Sequence, residues 1–241
     1  MPPSLPLHLT VHVVLALTLL LGGCRYPQDM ADSLNTVQNG DLHVGVTENA
    51  PWVIGQKGTP TGLEPQLIKE LASRWNTTVH WHWGTESELL DALGSNQIHL
   101  AVGGFSQSPH LRKRAALTKP YFVSELRVGF KTEAAIPRDL IAVHVGIRRL
   151  QSLTGPLEER HAYPAFIDQL GDQDLPVATD DWRLEAYRRF PGPWVLRTAK
   201  HVMALPKGEN GWMMEVQRYL NGLNPESIRQ RLITLERESA P

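Results

Sequence analysis

Apolar and polar positions alternate in "LHVGVT" (42–47) and again in "TVHWHW" (78–83), where Val79, Trp81 and Trp83 share one face. Period-two alternation of this kind predicts two half-buried strands. Between them, Leu63, Leu67, Ile68, Leu71 and Trp75 recur near helical spacing and predict an amphipathic helix laid on a sheet. "TESELLDALGSNQ" (85–97) predicts a second helix, with Thr85 and Glu88 as a capping box and Gly94 at its end. "IHLAVGG" (98–104) predicts a third strand. Strand, helix, strand, helix, strand with short connections means an α/β layer with a mostly parallel sheet.

Further along, "ELRVGFK" (125–131) and "HVMALPK" (201–207) predict strands that flank a smaller unit. That unit has its own strands, "IAVHVGI" (141–147) and "LPVAT" (175–179), and helical stretches around 156–170 and 181–190. Two helices close the chain, "GWMMEVQRYLNGL" and "NPESIRQRLITLERE", the second with Asn224 as N-cap and Pro225 at its first position. The pattern is one α/β lobe, a small inserted lobe and two chain crossings. Ligand sites favour the cleft between such units.

Charge and cysteine content narrow the picture. A formal net charge of -1 over 241 residues excludes a strongly basic nucleic-acid binder. Hydrophobic content of 41% and charged content of 20% are ordinary for a globular protein. Residues 1–24 stand apart. "LHLTVHVVLALTLLLGGC" is apolar, too short for a comfortable membrane span, and runs into small residues and Cys24, so it predicts a targeting segment. "LGGC" resembles the lipobox of bacterial lipoprotein signal peptides, although the leader has neither Lys nor Arg. That resemblance implies cleavage before Cys24, lipid on its thiol and attachment to a bilayer. Cys24 is the single cysteine, so no intramolecular disulfide forms and no Cys-x-x-Cys chemistry is available. The polar run at 25–40 predicts a tether. His80 and His82 lie two apart on one strand face without a third ligand nearby, and predict a solvent-facing strand rather than a metal site. No G-x-S-x-G, P-loop, G-x-G-x-x-G or H-E-x-x-H occurs. No cofactor and no metal is expected.

"LHVGVTENAPWV", "GTPTGLEPQLIKELA", "ESELLDALGSNQIHLAVGGFSQSP" and "LTKPYF" follow one another in the order of the family 3 solute-binding proteins. The chain resembles these periplasmic or lipid-anchored receptors of polar amino acid ABC importers over roughly residues 40–235. The resemblance implies an α/β fold of type II periplasmic-binding-protein-like form, with two α/β lobes joined by two crossing segments. Its segments would be a leader at 1–24, a tether at 25–40, a first part of lobe one at 41–130, a shortened lobe two at 131–197, and a return to lobe one at 198–241.

The same resemblance implies a ligand site. Gly103 and Gly104 would bring backbone N–H groups close to a ligand, and Ser106 would donate to a carboxylate. Trp52 would pack on the ligand, and Glu48 in the same loop is either a contact to a ligand cation or an exposed carboxylate. The family places an arginine two residues after the proline as a clamp on an α-carboxylate. Here that position is Leu111, with Arg112 and Arg114 beside it. Either a small shift lets Arg112 serve, or the protein does not hold an α-amino acid in the usual way. Arg112, Lys113 and Arg114 also read as a solvated face. In lobe two the hydroxyl pair of the family gives way to Ile147 and Arg148, and Arg148 is either a cleft guanidinium or a surface one. Asp181 aligns best with the family aspartate that meets a ligand amino group, with Asp180 its neighbour; either also serves as the cap of the next helix. Glu64 and Gln66 read as helix N-terminal residues favoured by the dipole.

Three functions follow for comparison. The first is a monomeric, non-enzymatic, extracytoplasmic receptor that captures a small polar solute, an amino acid or related organic anion, for an ABC transporter permease. The second is an accessory or sensory lipoprotein of the same fold, which the leucine at 111 favours. The third is a dehydratase-like enzyme on that fold.

Overall fold

The computed structural model describes residues 28–148, 153–171 and 174–239, so Cys24 and the leader lie outside the described residues. The segment expected as a tether is docked on lobe one from residue 28 onward. Helix α1 (Ser33–Gln38) buries Val37. Asp29 accepts the N–H groups of Gly211 and Trp212 at 2.5 and 3.1 Å, which caps a helix near the far end of the chain.

Two five-stranded sheets build two lobes. In lobe one, β1 (Asp41–Val46) turns Leu42, Val44 and Val46 inward, and α2 (Leu63–Ser73) lays Leu63, Leu67, Ile68 and Leu71 over them. β2 (Thr78–Trp83) pairs parallel with β1. α3 (Glu86–Gly94) opens with the expected capping box of Thr85 and Glu88. β3 (Leu100–Val102) then pairs parallel with β1 on its other side. The α/β reading of this half matches the structure, because each element has a clear apolar period.

α4 (Pro109–Arg114) is capped by Ser108, whose hydroxyl accepts the Leu111 N–H at 3.2 Å. Its three cations fall in the last turn, where the helix dipole favours them. β4 (Ala116–Leu117) follows, and then the chain leaves lobe one.

β5 (Phe122–Phe130) belongs to the second sheet, eight or nine residues earlier than the boundary at 130 places the crossing. Leu126, Val128 and Phe130 pack in the lobe-two core, which draws the second half of the strand there, while Phe122 stays in the lobe-one cluster. β6 (His144–Ile147), α5 (Thr154–Glu158) and β7 (Tyr163–Phe166) come next. The helix expected over 156–170 therefore stops after little more than a turn, and its middle is a strand parallel to β6. β8 (Val177–Asp180), α6 (Asp181–Ala186) and β9 (Phe190–His201) complete the lobe in the order β7-β6-β8-β5-β9.

The return runs beside the outward crossing, with Phe122 opposite His201 and Val123 opposite Lys200. β10 (Ala204–Leu205) inserts antiparallel between β3 and β4. α7 (Asn210–Asn221) buries Trp212, whose indole N–H donates to the His99 carbonyl at 2.7 Å. α8 (Pro225–Ser239) starts as expected at Asn224, whose side chain accepts the Glu226 N–H at 2.8 Å.

On lobe one, His80 pairs with Asp41 at 2.7 Å and His43 Nδ1 lies 2.9 Å from His82 Nε2. Among the described residues no three His, Cys, Asp or Glu side chains converge to hold a metal ion. No described helix is long and apolar enough to cross a membrane.

Candidate functional site

The two sheets enclose a polar cleft of about 660 Å³ beside the crossings. Lobe one lines it with the loop after β1 (Glu48, Asn49, Ala50, Trp52) and the loop after β3 (Gly104, Ser106). Lobe two supplies Leu126, Arg148, Ile167, Asp168, Asp180, Arg183, Arg197 and Ala199. His201, at the return crossing, closes the base.

The glycine loop is built by close approach. Gly104 has φ +65, a left-handed conformation that L side chains rarely adopt. A Cβ there would stand 2.5 Å from Trp52 Cγ. The Asn49 amide donates to the Gly103 carbonyl at 2.8 Å, and Val202 N–H donates to the Phe105 carbonyl at 2.9 Å, so the loop is tied to both neighbouring segments.

Glu64 anchors this loop from below. It is fully buried, and accepts the Gly104 N–H at 2.7 Å and the Tyr121 hydroxyl at 2.6 Å. A helix-dipole role does not account for that placement. Burial pushes its carboxyl from 4.5 up to about 7, against the hydrogen bonds that favour the anion. The native state therefore binds a proton between those pH values that the unfolded chain releases. Glu64's contribution is complete below about 4.5 and is lost as pH rises through about 7. Glu64→Gln should flatten the fall in stability between about pH 4.5 and 7 by up to about 3 kcal/mol, at ~1.4 kcal/mol per pKa unit. Denaturant titrations of both proteins at each pH check this; parallel curves would refute it.

Trp52 is 4% exposed, and its indole stacks on the His201 ring at 4.1 Å. It meets Trp182 edge-on at 6.2 Å. Burial lowers the His201 pKa to about 4, so a neutral imidazole backs the indole at neutral pH. The Ser124 hydroxyl donates to Asp180 Oδ1 at 2.8 Å and lies 3.1 Å from His201 Nε2, which links the cleft carboxylate to the crossing.

Adjacent aspartates part company at the β8–α6 junction. Asp180 ends the strand and faces the cleft. Asp181 turns away: it accepts the Glu125 N–H at 3.2 Å and pairs with Arg229 of α8 at 2.7 Å. Arg183, 3% exposed, lies 2.9 Å from Glu236 and 3.6 Å from Asp180, and donates to the Ala50 carbonyl at 3.0 Å. Arg148 is half-buried, its Nε is shielded and has no acceptor, and burial lowers its pKa.

Of the residues singled out in the sequence, Trp52, Gly104, Ser106 and Arg148 come together here. Arg112 does not. It is exposed on α4, outside the cleft lining, while Leu111 is 2% exposed in a lobe-one cluster. Asp181 gives way to Asp180 in the lining. Arg183, Arg197 and His201 line the cleft without having been singled out.

The model of the bacterial extracellular solute-binding proteins, family 3, matches residues 42–233. A probable histidine-binding protein of Campylobacter jejuni is 25% identical over 176 residues, 70% of this chain and 67% of that protein. Among solved structures, an ancestral cationic amino acid solute-binding protein has a TM-score of 0.67 at 18% identity, covering 84% of this chain and 97% of the other. The L-cystine receptor of Neisseria gonorrhoeae, in its unliganded open conformation, gives 0.65 at 16% identity, covering 83% and 94%. These likenesses place the fold among two-lobed, type II periplasmic binding proteins.

Proposed function

The chain belongs to the bacterial extracellular solute-binding proteins of family 3, and on that premise we propose that it captures a carboxylate-bearing small solute, an amino acid or related organic anion, for an ABC importer. It acts outside the cytoplasmic membrane as a monomer, anchored by lipid on Cys24. The observation that carries this reading is the cleft itself. An indole backed by a neutral imidazole sits on one side, and a half-buried guanidinium whose shielded Nε lacks an acceptor sits on the other. Such a pairing of an apolar wall with a few converging polar groups is the ordinary form of a small-molecule site. The names of the relatives, a histidine-binding protein and receptors for cationic amino acids and cystine, support an amino acid as the solute.

Two measurements test it. Native mass spectrometry of the protein as purified should find a small acid bound and unchanged, and calorimetry with amino acids and organic anions should reproduce that binding. A product differing from the added compound would favour catalysis instead. Cys24→Ser should release the protein from membranes or block its processing, because stable anchoring takes more than one acyl chain. Normal processing and full membrane retention of that variant would defeat the anchor.

A further inference from the structure

The two lobes meet the cleft with different chemistry, the arginines and the carboxylates of Asp168 and Asp180 coming from lobe two. Lobe one brings an indole, the Gly104 backbone, the Ser106 hydroxyl and a single charge, Glu48. All three guanidiniums, Arg148, Arg183 and Arg197, come from lobe two. They are not equivalent. Arg183 is occupied by Glu236, Asp180 and the Ala50 carbonyl. Arg197 is exposed. Arg148 Nε and Arg183 Nε are both buried without a hydrogen-bond acceptor, but Arg183 Nε has the Glu236 carboxylate at 2.9 Å, whereas no ion pair joins Arg148 to a carboxylate among the described residues. A buried donor without an acceptor is costly, more so when charged. The acceptor that relieves it is an anion entering the cleft. On lobe one no cation competes, since Leu111 is packed in the core and Arg112 points elsewhere.

We propose that the solute lies with its carboxylate on lobe two, against the Arg148 guanidinium, and any ammonium on lobe one, against Glu48. This rests on the receptor reading above. It adds an order of importance to the ligand's two ends. The carboxylate meets a half-buried guanidinium whose shielded Nε has no other acceptor. An ammonium meets an exposed carboxylate that already accepts from the Gln56 amide at 2.9 Å. The site therefore requires the acid and tolerates loss of the amine, so 2-hydroxy acids bind along with the corresponding amino acids, and decarboxylated amines do not.

Calorimetry of the full chain against matched amino acids, 2-hydroxy acids and amines tests this. Arg148→Ala should weaken binding by about 30-fold or more, the effect of truncating one partner of a buried charge pair. Arg148→Lys keeps the charge and stem but loses the fork, and should weaken it by a smaller factor; it also guards against a folding defect in the alanine variant. Glu48→Gln should weaken amino acids less than about tenfold, as for an exposed pair, and leave 2-hydroxy acids unchanged. Arg112→Ala should bind as the wild type does. Wild-type affinity in folded Arg148→Ala, or loss of binding in Arg112→Ala, overturns the orientation while leaving the receptor reading intact. Failure of the wild-type protein to bind any carboxylate overturns both.

Discussion

Trp52→Ala is expected to lose about 3–5 kcal/mol of unfolding free energy, the range for removing a buried Trp side chain. Trp52 belongs to the lobe-one core as much as to the cleft wall. Its ring is stacked on His201 and lies within 6.4 Å, centroid to centroid, of the rings of Tyr121, Phe122 and Trp182. Its carbonyl accepts the Glu64 N–H at 2.9 Å, which brings the loop onto α2. Truncation removes the stacking partner of His201 and the surface on which Gly104 closes. Solute affinity should fall as well, because the loop that carries Gly104 loses its support. Urea unfolding of the two proteins gives the stability difference, and calorimetry the affinity. A stability loss below about 1 kcal/mol would mean that the indole serves the ligand alone and that the rings around it repack.

The first half of the fold was readable because its apolar residues keep a strict period. Leu42, Val44 and Val46 alternate, and Leu63, Leu67, Ile68 and Leu71 form one helical stripe. The capping box at Thr85 and the Asn224–Pro225 start are local chemistry, and local chemistry is visible in a sequence. β9 was not visible. "FPGPWVLRTAKH" carries two prolines and no clean alternation, and it is a strand because it pairs with β5 through register shifts. Which sheet β5 joins is likewise set by partners far along the chain.

The site divides the same way. The glycines at 103 and 104 and the indole at 52 announce close approach and a large flat surface. Asp180 and Asp181 are indistinguishable as letters, and β8 is buried on both faces, so no polar alternation separates the cleft side from the far side. Glu64 reads as an ordinary first-turn acid until Tyr121 and Gly104 are found over it. Arg183 reads as a surface residue of a short helix, because its carboxylate partner Glu236 sits on the last helix of the chain.

That partner gives the second large effect. Glu236→Ala is expected to destabilise the protein by about 3 kcal/mol, at the low end for breaking a buried ion pair. The side chains of Arg183 and Glu236 are 4% and 8% exposed, so water does little to replace the lost contact. Glu236 Oε1 also accepts the Tyr187 hydroxyl at 3.0 Å, which is orphaned with it. Asp180, 3.6 Å from Arg183, remains as partial compensation and keeps the loss from the upper end of the range. The pair has a geometric consequence too. α6 is part of lobe two and α8 is part of lobe one, so Arg183–Glu236, with Arg229 holding Asp181 and Glu185, ties the lobes together behind the cleft. Freed of Glu236, Arg183 should turn toward Asp180, and the cleft carboxylate should be held more tightly by its own lobe. Solute affinity should therefore change in Glu236→Ala although Glu236 is not in the cleft lining. Glu236→Gln, which keeps an acceptor for Tyr187 or Arg183 but removes the charge, should fall between the two. Equilibrium unfolding of all three proteins, with calorimetry alongside, decides the matter. Stability within about 0.5 kcal/mol of wild type in the alanine variant would show that Asp180 and the Ala50 carbonyl satisfy Arg183 by themselves.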